Sequence, residues 1–441
     1  MKEKIYCSEK QFRALNRDAM VAFLLKVVGT LLGFAVNVVV ARLLGIEGSG
    51  LYFLSLAVIT VATVIGMFGL GTTGLRFIAA SCGEGEWGKA KNVSIVVTSL
   101  ALAILVCCSV LTMYLSEPIA RELFSRPELV QLIFWMSLGI APFGFFQLMA
   151  EQLRGIGKIL PALSLQSIYL PLLTILALVV LASPYGVLGV VWSFLFASWI
   201  TAIIAAWYWV QWMGGYSREK ERITRSIAES CLPMLISEIA TKVVIPWAPI
   251  LLLGVLATTS EVGQYAMASR VAMLASFLLL AVNIAVAPRF ASMFRKGEIV
   301  QLEEMARHST IMLTAVAAPV TLLIILLAEP IMGVFGGEFK VGAATLVILS
   351  LGQFVNAATG SVGYLLAMSG NEVLYQRITV GAMLLLLGLS IVLIPEMGSL
   401  GAAISVAVTV SIQNLLLAWA VYARLKISVF WFLKRRQCEP V

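Results

Sequence analysis

Runs of about twenty apolar residues alternate with short polar stretches along the whole chain. A helix needs about that length to cross the hydrocarbon core of a bilayer. Twelve such runs are predicted to be spans, at 19–41, 51–74, 92–114, 129–150, 161–182, 186–210, 232–256, 263–287, 309–328, 342–368, 374–394 and 398–422. The short alternating segments of a β-barrel are not the pattern here. Glycine and proline punctuate the turns, at Gly45-Ile46-Glu47-Gly48, Ser183-Pro184-Tyr185-Gly186 and Pro395-Glu396-Met397-Gly398. The polar stretches between spans are too short to hold a soluble domain, so an all-α polytopic membrane protein is expected.

The pattern repeats. At an offset of 212–213 residues Gly50-Leu51-Tyr52 matches Gly263-Gln264-Tyr265, and Arg76-Phe77 matches Arg289-Phe290. Glu117-Pro118-Ile119 matches Glu329-Pro330-Ile331, and Leu138-Gly139 matches Leu351-Gly352. Gly157 matches Gly370, and Gly186 with Leu188-Gly189 matches Gly398 with Leu400-Gly401. Six matches in register imply two six-helix halves, 1–212 and 232–441, joined by a cytoplasmic linker at 213–231. Six is even, so the halves share an orientation and are expected to be related by an axis along the membrane normal. A transporter with a central cavity between its halves and alternating access follows from such a repeat.

Composition agrees with this reading. Hydrophobic residues are 60% of the 441 and charged residues 12%, about half the charge of a soluble domain. The net charge of +8 sits in loops beside spans, which argues for topology and against nucleic acid as a partner. The N-tail, the loops near 75–91, 151–160, 211–231, 288–308 and 369–377, and the C-tail hold 24 of the 31 basic residues. The opposite loops hold four: Arg42, Arg121, Arg126 and Lys340. Positive-inside asymmetry therefore places both termini in the cytoplasm. The basic N-terminal stretch leads into a long apolar run with no small-residue cleavage site before Gly45, so it reads as a first span and not a removed signal.

Chemistry is sparse. The six cysteines form no CxxC pair, and His308 is the only histidine. No HExxH, GxSxG or phosphate-binding loop is present, so neither an enzyme, a built-in ATPase, a metal site nor a cofactor is expected. The informative residues are charges inside apolar runs, which cost several kcal/mol unless paired or wetted (about 2.5–3.5 on insertion scales). Lys26 shares a helical face with Thr30, Gly33 and Asn37. That face either lines a cavity or lets Lys26 reach the cytoplasmic headgroups. Glu238 and Lys242 stand at i and i+4 among Pro233, Pro246 and Pro249, either as a structural pair or on a kinked, cavity-lining helix. Glu238 reads as the only carboxylate well inside a span, which makes it the candidate for coupling to a proton or sodium gradient. Arg270, in the outer half of the eighth span, either faces the cavity or reaches the outer headgroups. Together these groups are net positive and suit an anionic substrate. Arg42 at the outer mouth and Arg76 and Arg154 at the inner one are either gate and recruitment residues or interfacial anchors. Trp199, Trp207, Tyr208, Trp209 and Trp212 read as an interfacial belt. Arg218, Lys220, Arg222 and Arg225 mark an amphipathic segment attracted to anionic lipid.

Asn37-Val-Val-Val-Ala-Arg42-Leu-Leu-Gly45-Ile-Glu-Gly48-Ser-Gly50-Leu-Tyr52, followed by Phe68-Gly-Leu-Gly71 and Arg76, resembles the opening of the polysaccharide-exporter branch of the multidrug/oligosaccharidyl-lipid/polysaccharide superfamily, the Wzx-type flippases. Gly263-Gln-Tyr265, Ala268-Ser-Arg270 and Pro288 resemble the family's pattern around the eighth span. The resemblance implies a flippase in the bacterial inner membrane. It would carry an undecaprenyl-pyrophosphate-linked oligosaccharide, an O-antigen, capsule or exopolysaccharide unit, from the cytoplasmic to the outer leaflet. It also implies a polysaccharide polymerase as a plausible partner, and a match of Arg270 to a cavity arginine of the related lipid II flippases. Those flippases commonly have fourteen spans and an Arg-Asp pair in the first, where this chain has Val36 and Asn37. The alternative is a cation-coupled drug or metabolite exporter of the same superfamily.

Overall fold

The computed structural model describes residues 2–216, 230–232, 234–235 and 238–429. They are almost wholly helical, with no strand among the described residues. The main helices are α1 (Lys2–Met67), α2 (Leu70–Gly83), α3 (Trp87–Tyr114), α4 (Leu129–Ser137), α5 (Ile140–Gly155), α6 (Ile159–Ser164) and α7 (Leu170–Met213). They continue as α8 (Ile245–Leu256), α9 (Thr259–Ala272), α10 (Phe277–Lys296), α11 (Ile299–Leu326), α12 (Ala343–Ala358), α13 (Val362–Met368) and α14 (Glu372–Leu425). Eight helical stretches are long and apolar enough to cross a membrane, or nine if the bent pair α4 and α5 is one span. Dividing α1 at Gly45 and α14 at Gly398 gives two more. The eighth predicted span is α9 and α10, broken by a 3-10 turn at Met273–Ser276. Each of the twelve predicted runs thus falls mainly on helix among the described residues, the second interrupted at Phe68–Gly69 and the tenth at Thr359–Ser361, and the protein is a polytopic, all-helical membrane protein.

The turns are tighter than the glycine- and proline-containing tetrapeptides suggest. Three of them reduce to one non-helical glycine each: Gly45 (φ 67°, ψ −172°), Gly186 (φ 55°, ψ −129°) and Gly398 (φ 54°, ψ −128°). The last two have the same backbone conformation, and they are the residues that the repeat aligns. Gly157 and Gly370, also aligned, have φ of 83° and 76°. Gly85 and Gly297, at the same offset, have φ of 81° and 73°. Positive φ is the conformation a side chain opposes, so the repeat is preserved where the backbone needs it.

Contacts divide the chain into two compact units, Met1–Trp247 and Ala248–Val441. In the first, α1 packs on α3, α5 and α7, and α2 lies against α3 and α5. In the second, α12 packs on α11 and α14, and α13 lies between α10 and α14 in contact with both. Its core includes Phe290, Leu302, Leu366, Leu417 and Val421, each almost fully buried. The division falls inside α8, later than the expected linker at 213–231. The cause is local: the π-helical turn Ile239–Val244 packs on α1. In addition, a Cβ on Gly69 would lie 2.5 Å from the Cys231 carbonyl. The start of the seventh span therefore belongs with the first unit. Most of the linker, with Arg218, Glu219, Lys220, Arg222 and Arg225, lies outside the described residues, as do Pro233 and the end of the C-tail.

Candidate functional site

The site is built on α1, α2, α5 and two π-helical turns, all in the first unit. A π turn widens the helix by one residue and re-aims side chains, and such bulges recur at functional sites. One, at Leu165–Tyr169, joins α6 to α7 and carries Gln166 and Ser167. The other, at Ile239–Val244, carries Lys242.

On α1, Gly29 faces the first π turn. A Cβ there would lie 2.5 Å from both the Ser167 Cβ and its carbonyl oxygen, so only glycine allows this approach. The contact brings Lys26, one turn earlier, to Ser167, where its Nζ donates to Oγ at 3.5 Å. Thr30 Oγ1 donates back to the Lys26 carbonyl at 2.9 Å, the usual way a threonine is satisfied inside a helix. Gly33 has open space where a Cβ would sit, and Asn37 is half-buried.

On α5, Arg154 Nη1 donates to both oxygens of Glu151, at 3.1 and 3.2 Å, and Nη2 donates to Gln166 Oε1. Gln166 Nε2 donates to Glu151 Oε1 at 3.4 Å. Arg154 is close enough for its charge to bear on Lys26. Glu151 adds a second partly buried carboxylate to Glu238, near the end of its helix. The fourth span was expected to end at 150, but α5 runs to Gly155 and holds Glu151 partly buried.

Glu238 is 5% exposed. Its Oε1 accepts from Thr72 Oγ1 at 2.6 Å and from Lys242 Nζ at 3.0 Å. Its Oε2 is buried and has no hydrogen-bond donor among the described residues. The first turn of α2 links the two groups. Thr72 holds Glu238, and a Cβ on Gly71 would lie 3.7 Å from Glu151 Cγ. The whole site thus sets three cations, Lys26, Arg154 and Lys242, against two carboxylates, Glu151 and Glu238.

The structure brings Lys26 and Arg154 into one cluster and Glu238 and Lys242 into another. Arg76 is exposed on α2, and Arg42 is exposed on α1 just before the Gly45 kink. Arg270 is half-buried in the second unit, near the fully buried Tyr265. The sequence reading missed Thr72, Glu151, Gln166 and Ser167. The available signal was polar residues within predicted spans, above all the pair Gln166-Ser167. Of the aromatic belt, Trp209 Nε1 donates to Ser94 Oγ at 2.7 Å, and the Lys158 ammonium lies 3.8 Å from the Trp212 ring centre.

A family model described as polysaccharide biosynthesis protein matches residues 15–294. The probable low-salt glycan biosynthesis flippase Agl15 of Haloferax volcanii is 28% identical over 171 residues, 38% of this chain and 36% of that protein. The matched segment thus spans about a third of that relative's length. Among solved structures, an inward-facing multidrug resistance MATE family transporter of the MOP superfamily aligns with a TM-score of 0.75 at 16% identity, covering 92% of this chain and 98% of its own. The lipid II flippase MurJ, in an inward closed conformation, aligns with a TM-score of 0.75 at 15% identity, covering 91% and 87%. These identities establish a shared fold, and the family match covers well over half of the sequence. The chain belongs to the polysaccharide biosynthesis protein family and has the fold of MOP superfamily transporters.

Proposed function

We propose that this protein is a flippase for a lipid-linked oligosaccharide, moving it from the cytoplasmic to the outer leaflet of a bacterial inner membrane by alternating access. The substrate class is an undecaprenyl-pyrophosphate-linked repeat unit of an O-antigen, capsule or exopolysaccharide. The observation that carries the reading is the excess of cations in the polar site of the first unit. Lys26 and Arg154 on adjoining elements offer an ammonium and a guanidinium to one anion, and Lys242 adds a third cation. Family membership and the Agl15 relative support a glycan cargo. Asn37, one turn beyond Gly33, is the candidate for sugar hydroxyls, and Arg76 and Arg42 are the candidates for the two mouths. A polymerase of the repeat unit is the natural consumer of the product.

The test is the leaflet distribution of lipid-linked glycans in cells depleted of the protein. Accumulation of one pyrophosphate-linked oligosaccharide on the cytoplasmic side, with loss of the surface polymer, is the expected result. A normal distribution with intact surface glycan refutes it.

One observation favours the alternative, a cation-coupled drug or metabolite exporter. Glu238 has a buried oxygen with no donor among the described residues, a place for a proton or sodium ion. It serves the flippase reading equally as the coupling site. Glu238→Gln is expected to remove the dependence of transport on the proton or sodium gradient. Drug sensitivity on deletion, with unchanged glycan, would select the exporter.

A further inference from the structure

Arg154 is bound to two side chains, and one of them is already an anion. Its two bonds to Glu151 and its bond to Gln166 fill one edge of the guanidinium, and Gln166 closes the ring by donating to Glu151. The Glu151 side chain is 16% exposed and that of Arg154 34%, so the ring is sheltered but reachable. A carboxylate and a phosphate present the same pair of oxygens to a guanidinium. Lys26 stands in electrostatic range and donates to Ser167 at 3.5 Å.

We propose that Glu151 is a resident anion that holds Arg154 in the empty site and is displaced by the phosphate of the cargo. The inference rests on the anionic lipid-linked substrate proposed above. Arg154 with Lys26 in electrostatic range and no anion beside it would be costly within apolar helices. Glu151 removes that cost, and Gln166 keeps the carboxylate aimed. When phosphate arrives, Arg154 exchanges one pair of oxygens for another, and Lys26 leaves its long contact to join it. Gln166 bonds to both partners of the pair, so it is a positioning residue for either state. The same competition favours release, because Glu151 returns to Arg154 as the cargo departs. Apparent affinity is then lowered by the fraction of time that Arg154 is occupied.

The experiment measures binding of farnesyl pyrophosphate, with farnesol as the uncharged control, to the full-length protein in nanodiscs. Glu151→Gln keeps the shape and an acceptor oxygen but removes the charge. Binding is expected to tighten by about fivefold or more, with slower flipping in vesicles because release is slowed. Arg154→Gln is expected to weaken binding, and in the double variant Glu151→Gln should have no further effect. Unchanged or weaker binding by Glu151→Gln, at an unchanged melting temperature, overturns the proposal. If that variant does not fold, Glu151→Asp, whose shorter arm loosens the pair, must shift affinity in the same direction. Wild-type protein that binds farnesyl pyrophosphate no better than farnesol removes the substrate class and this inference with it. Wild-type binding that is selective but indifferent to Glu151 removes this inference alone.

Discussion

The Glu238 side chain is 6% exposed and that of Lys242 42%, so the two ends of this ion pair do not respond alike to losing the other. Lys242→Ala leaves a buried carboxylate held, among the described residues, by Thr72. Breaking a wholly buried pair costs about 3–5 kcal/mol, and partial wetting of Lys242 brings the expected loss to about 2. Glu238→Gln leaves a neutral acceptor for Thr72 and an ammonium that water can reach, so its cost is expected to stay below about 1 kcal/mol. Thermal unfolding in detergent checks the order; the reverse order would mean that the fold depends on the charge of Glu238 more than on its pairing with Lys242. Legibility at this scale follows cost. Lys26, Glu238 and Lys242 stand out because charge is rare in apolar runs, whereas Arg154 reads only as a charge at a span end. Thr72, Gln166 and Ser167 do not, because neutral polar side chains are tolerated inside helices and carry little signal of their own. Glu151 was hidden by a helix end placed five residues short of Gly155.

At the scale of helices, the repeat predicts that equivalent glycines have equivalent backbones, and Gly186 and Gly398 do. Their surroundings differ. A Cβ on Gly186 meets nothing within 4 Å, so Gly186→Ala carries only the backbone strain, about 1–3 kcal/mol. A Cβ on Gly398 would lie 1.6 Å from Glu261 Oε1. Glu261 is not free to retreat, because its Oε2 accepts from the Thr258 N–H and hydroxyl in the capping box of α9, both at 2.9 Å. Gly398→Ala therefore adds the loss of a cap, about 1 kcal/mol more, and is expected to melt lower than Gly186→Ala. Equal melting temperatures would show that the cap yields without cost. Gly29→Ala separates α1 from the π turn and is expected to cost about 1–3 kcal/mol while weakening anion binding through Lys26. Glycine punctuation made the joints readable in advance. The π turns were not, because whether a helix takes in an extra residue depends on what packs against it, and no spacing in 165–169 or 239–244 announces that.

At the scale of the whole chain, span number and repeat were readable because both rest on long stretches, in which single ambiguities average out. The end of the first unit was not, since it depends on where the seventh span finds its neighbours. The repeat and the family fold imply that transport needs both halves, yet the paired polar site described above lies wholly in the first. Arg270, half-buried among buried residues of α9, is the residue of the second unit proposed to meet the anion. Arg270→Ala is expected to abolish glycan flipping while anion binding by the first unit, measured with farnesyl pyrophosphate, falls by less than about tenfold. Protein amount and melting temperature should hold, because the exchange leaves α9 its capping box and its buried Tyr265. Arg270→Lys, which keeps the charge but not the fork, should recover part of the flipping. Flipping at the wild-type rate in Arg270→Ala would place the whole of substrate recognition in the first unit and return Arg270 to an interfacial role. Loss of folded protein in both variants would make it a structural residue of the second unit. Loss of flipping with folding intact, partly rescued by lysine, is the pattern that only a two-unit carrier predicts.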